Sequence, residues 1–117
     1  MARLDAGKLL DDVLAAAAGT ASVGVDSITD FAKDYAQDIA EYSALIAKGA
    51  APGGWIDEED LPGWTKSLKT MVREFARMVA ALIVVAVEKI INAVLSVIRT
   101  AIEGVIGAGR LAFLGGG

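Results

Sequence analysis

Between Trp64 and Glu103 the chain contains neither proline nor glycine, and nothing in its residue types interrupts a helix there. Alanine, leucine, isoleucine and valine dominate, so the spacing predicts one long helix reaching Gly104 and extending toward Leu114. Fifty helical residues would span about 75 Å. A helix of that length needs coiled packing, a membrane or an assembly to lie against.

The polar residues of this stretch are regular. Arg77, Glu88, Arg99 and Arg110 recur every eleven residues, and eleven residues make almost three whole turns, so the four fall nearly in line. Lys66, Thr70, Arg73, Glu74, Asn92, Ser96 and Glu103 join them within about 140° at 100° per residue. Almost everything else from Met78 onward is apolar apart from Lys89, which leaves an apolar arc of about 220° where a helix docked on one side of a bundle needs little more than about 100°. Partners on two or more sides are expected.

The segment from Met78 to Ile98 has the length of a bilayer span, about 20 residues, but Glu88, Lys89 and Asn92 sit at its centre. Its aliphatic residues favour insertion by several kcal/mol, and the two charges oppose it by a similar amount. A lone span would insert poorly. The stripe is better accommodated where several copies turn it toward one another or toward a channel, or where an oligomer buries it.

The upstream half reads differently. Residues 4 to 18 combine helix formers with apolar Leu10, Val13 and Leu14, predicting a short first helix that ends near Gly19. A close-packed bend follows through Gly24. Ser27 and Asp30 stand at capping-box spacing ahead of a second helix running to about Lys48. On that helix Ile28, Phe31, Tyr35, Ile39, Tyr42 and Ile46 share an arc of roughly 80°, predicting a core-facing stripe. Residues 49 to 63 hold both prolines, four glycines and the acidic run Asp57 to Asp60, which marks a turn. Trp55 and Trp64 flank those acids, either as clasps of a helical hairpin or as anchors at an interface.

Charge divides the chain at that turn. Residues 1 to 60 carry 12 acids and 4 bases, while residues 61 to 117 carry 3 acids and 7 bases. The second helix bears an acidic row, Asp30, Asp34, Asp38 and Glu41, at spacings of 4, 4 and 3; the long helix opens with a basic row, Lys66, Lys69, Arg73 and Arg77, at 3, 4 and 4. Each row therefore occupies one helix face. The basic row could meet the acidic row, within one chain or between chains, or anionic headgroups. Four bases without recognition-motif glycines or interleaved aromatics argue against nucleic acid.

The residue inventory also narrows the chemistry. Cysteine and histidine are both absent, which removes disulfides, thiolate chemistry, imidazole acid–base work and the commonest zinc ligands. Carboxylates along one exposed helix do not converge as a calcium loop does, and no phosphate loop, dinucleotide fingerprint or nucleophile motif occurs. No enzyme, cofactor, metal or small-molecule substrate is expected. Arg3, Asp5, Lys8, Asp11 and Asp12 interrupt any apolar signal region, so no secretory signal peptide is read. Hydrophobic residues make up 55% of the chain against 22% charged, with a mean hydropathy of +0.52, too apolar for a disordered tail.

The stretch Val87 to Arg99 (VEKIINAVLSVIR), preceded by an acidic small-residue helix and a polar Gly/Glu-rich turn, resembles small helical virion-associated or membrane-interacting proteins of bacterial viruses. The resemblance covers about the last forty residues and the overall layout. It implies a virion component or a membrane-interacting accessory and carries over no functional residues.

The resulting expectation is a single all-α domain over residues 1–117: an acidic helical half (1–48), an acidic Gly/Pro turn (49–63) and a long basic-then-apolar helix (64–117). These form a helical hairpin of two short N-terminal helices and one long apolar C-terminal helix, completed by oligomerisation or a membrane. The expected function is a structural subunit of a larger assembly, a bacteriophage virion or membrane-associated particle, partnered by copies of itself, other subunits or lipid. The alternatives are a pore- or lesion-forming membrane protein of holin or bacteriocin type and a soluble helical adaptor binding a partner helix.

Overall fold

A computed structural model describes residues 4–81 and 86–107. Within them the chain is all-α, with helices α1 (Ala6–Thr20), α2 (Asp30–Ala50), α3 (Leu61–Ala80) and α4 (Val87–Ile106), plus a 3-10 turn at Val25–Ser27.

Local chemistry sets most of the helix ends. Asp5 caps α1, its carboxylate accepting from the Lys8 N–H at 3.1 Å, which satisfies one of the amides a helix start leaves unpaired. At the other end the Val23 N–H donates to the Ala18 carbonyl and the Ser22 N–H to that of Gly19. This pair of bonds is a Schellman closure, and it puts Ser22 at φ 59, a left-handed position where glycine or asparagine is usual. The cap of α2 is Thr29, whose hydroxyl accepts from the Ala32 N–H at 3.2 Å. The predicted Ser27 cap is displaced because Ser27 closes the 3-10 turn.

The turn between α2 and α3 is tighter than its composition alone implies. The Ile56 N–H donates to the Gly49 carbonyl and the Gly54 N–H to that of Ala51, both at 2.8 Å. A side chain on Gly54 would run into the Gly49 backbone, and one on Gly49 would meet Ile56 and Trp55. Two glycines therefore let Ile56 fold back and bury against the end of α2. Gly49, Ala50 and Leu61 to Gly63, assigned to the turn on sequence, belong to helices; Pro62 sits in the first turn of α3, where its missing N–H breaks no helical bond.

One long C-terminal helix is not what forms. Helix α3 ends at Ala80 and α4 begins at Val87, with Ala86 extended at φ −69 and ψ 124. Six residues, 81–86, reach at most about 20 Å, less than the length of about 30 Å of a twenty-residue helix. Since α4 packs on α3, it folds back along it. Folding back buries Ile90, Ile91, Val94, Leu95, Ile98, Ile102 and Ile106, each worth about 1.5–3 kcal/mol relative to exposure.

The layout is thus a four-helix bundle rather than a three-part hairpin. Each helix packs on its sequence neighbours and α1 packs on α4, which closes a ring; α2 also meets α4 across it. Helix α4 touches all three others, so its wide apolar arc finds cover inside the chain. Residues beyond 107, including the predicted continuation to Leu114, lie outside the described residues.

Candidate interaction surfaces

The core consists of aliphatic residues and alanine around Phe75, with no buried side-chain polar atom lacking a partner among the described residues. Buried Ser43 and Thr65 donate to carbonyls of their own helices, Ile39 and Leu61. No group of three or more carboxylates placed to hold a metal occurs among the described residues. What remains chemically distinctive is the surface.

Helix α2 carries the acidic row as predicted: Asp30, Asp34, Asp38 and Glu41 are all exposed. Beside them stand two large apolar side chains, Phe31 (70% exposed) and Leu45 (41%). Phe31 was expected in the core. The buried face of α2 is instead built on Ala32, Ala36, Ile39, Ala40, Ser43, Ile46 and Ala47, which turns it roughly 80° from the predicted stripe at 100° per residue. Ile28, Ile39 and Ile46 are buried as expected, whereas Tyr35 and Tyr42 are half-buried on the flank facing α3.

Along that flank Tyr42 stacks on Trp64, with ring centroids 5.6 Å apart and planes 30° apart. Trp64 is therefore the clasp between α2 and α3 that the sequence allowed. Trp55 does not join it and stays 53% exposed over the tight turn. Tyr35 has its phenol held above the usual range, first by burial and then by the negative charges of Glu74 and Asp38, which places Glu74 of α3 beside α2.

The basic row occupies the outward side of α3, with Lys66, Arg73 and Arg77 exposed and Lys69 half-buried. It does not pair with the acidic row of its own chain. Arg77 binds Glu74 one turn earlier on α3 at 2.8 Å, and no ion pair joins the rows. The rows sit on neighbouring antiparallel helices whose seam is closed by Tyr42 and Trp64 rather than by ion pairs between them.

On α4 the polar stripe is a solvated face. Glu88 and Asn92 are exposed, and half-buried Arg99 lies 3.9 Å from Glu103 of the same helix. Glu88 was expected at the centre of an apolar span. It lies in the first turn of α4, where a carboxylate offsets the positive end of the helix dipole. Arg110 lies outside the described residues. No helix of the described residues is long and apolar enough to cross a membrane.

One feature escaped the sequence reading. An open groove of about 720 Å³ runs between α1 and α4, lined on one side by Leu4, Lys8, Asp12 and Ala15 and on the other by Val97 and Ala101. Its signal was the alanine run from Ala15 to Ala18, whose small side chains leave space beside an aliphatic neighbour. No protein-family model, no curated protein and no solved structure matches the chain.

Proposed function

We propose that the chain is a non-catalytic structural subunit that acts by joining a larger assembly through its surface. The observation that carries this reading is the segregation of charge: an acidic row on α2 and a basic row on α3, largely exposed and not joined to each other. A chain that neutralised its two halves internally would present a mixed surface. This one presents two surfaces of opposite sign, each able to attract the other on a second molecule.

A virion or a membrane-associated particle is the proposed setting, and it rests on the resemblance read from the sequence at Val87 to Arg99 alone. The pore-forming alternative has no spanning helix among the described residues to build on. The adaptor alternative is favoured by the groove between α1 and α4, whose mixed lining of Leu4, Lys8, Asp12 and Val97 suits an amphipathic segment.

Sedimentation of the full chain over rising concentration, in detergent-free buffer and in mild detergent, tests the reading. Concentration-dependent association in plain buffer is expected. A chain that stays monomeric at every concentration in both would overturn self-assembly.

A further inference from the structure

The two charged rows share more than opposite sign. The acids on α2 are spaced 4, 4 and 3, and the bases on α3 are spaced 3, 4 and 4, so one row is the reverse of the other. Laid antiparallel, two such helices bring Asp30 level with Arg77, Asp34 with Arg73, Asp38 with Lys69 and Glu41 with Lys66. Both rows span twelve residues, eleven helical steps or about 16 Å. The chain's own α2 and α3 run antiparallel side by side, yet they seal their seam with Tyr42 on Trp64, and no ion pair joins the rows.

We infer that the acidic face of α2 docks on the basic face of α3 of a second copy, with the two helices antiparallel in this register. The inference rests on the self-assembly proposed above and names its surfaces. Phe31 and Leu45 flank the acidic row, so the contact has an apolar part as well as an ionic one, and an exposed side chain as large as Phe31 gains from being covered. Arg77 exchanges its local bond to Glu74, which is itself solvent-exposed, for one across the interface. The two faces differ, so two copies joined by one such contact keep one free acidic and one free basic face between them, which either meet each other in a two-fold dimer or let growth proceed to a ring or a filament.

The test uses the full chain and two charge-reversed variants, Asp34→Lys with Asp38→Lys, and Lys69→Glu with Arg73→Glu. The acidic positions and Arg73 are exposed and Lys69 is half-buried, and a helicity measurement by circular dichroism checks that each variant folds. In each variant alone the two central pairs of the register, 34 with 73 and 38 with 69, become like-charged, and it is expected to need at least about tenfold more protein to associate than the wild type. An equimolar mixture carries complementary faces again and should recover association, with the gain lost near 1 M salt, where screening reaches about 3 Å. If Lys69→Glu disturbs folding, Lys66→Glu with Arg73→Glu at two exposed positions replaces that variant.

Association of both variants at the wild-type concentration, or a mixture that fails to recover it, would overturn the inference while leaving self-assembly standing. A wild type that never associates would remove both. A wild type that stays monomeric but binds phosphatidylserine vesicles, with Lys66→Glu and Arg73→Glu abolishing the binding, would assign the basic face to lipid and overturn the pairing.

Discussion

Helices α2 and α4 hold equivalent places in the bundle and fill them by opposite means. Each packs against all three other helices. Helix α4 buries isoleucine, valine and leucine, whereas α2 buries five alanines with a serine and only two isoleucines. Two helices facing each other across a ring cannot both present large side chains at interior packing density. Alanine on α2 lets the bulky face of α4 approach, and the large side chains of α2 are displaced to its flank and outer surface. Side-chain size alone is therefore a poor guide to which face is inside.

Truncating the large member of the pair should have the greatest effect. Ile98 is fully buried on α4, and Ile98→Ala is expected to destabilise the chain by about 3–4 kcal/mol through lost transfer energy and the cavity left behind, read by urea denaturation. Enlarging the small member should cost less. Ala36 is fully buried on α2, and Ala36→Leu should lower stability by about 1–3 kcal/mol through overpacking. A loss at Ala36 equal to that at Ile98 would show that the two helices are packed alike.

Smaller effects should appear away from this contact. Ser22→Gly relieves a left-handed backbone at φ 59 and should stabilise the chain by about 0.5–1 kcal/mol in thermal melting. Phe31→Ala, at a position 70% exposed, should change monomer stability by less than about 0.5 kcal/mol in the same measurement. A larger loss at Phe31 would return it to the core and restore the face that the aromatic stripe predicted.

What the residues revealed unaided follows the kind of signal each carried. The acidic row from Asp30 to Glu41 and most of the basic row from Lys66 to Arg77 were legible as surface because a charged side chain rarely leaves water. The first helix was legible from its run of helix formers and from Gly19 near its far end, whereas its Asp5 cap was not read. The division of α3 from α4 was not, since no proline or glycine marks residues 81–86 and the cause lies in tertiary burial. Glu88 and Lys89 carried the missing clue. As charges amid aliphatic residues they counted against a membrane span, but they also suit the exposed first turn of a new helix. On α2 the alanines were overlooked beside Phe31, Tyr35 and Tyr42, because a small residue signals its burial only through the neighbours it admits.

The central place of α4 has a consequence during synthesis. A growing chain leaves the ribosome from its N-terminus, so α1, α2 and α3 emerge before the helix that all of them pack against. Until then α1 and α3 have only α2 to hold them together, since they scarcely touch each other, and alanines offer too little area to keep three helices closed. The nascent protein must wait with that inner face open until α4, the described helix richest in isoleucine, valine and leucine, arrives to fill it.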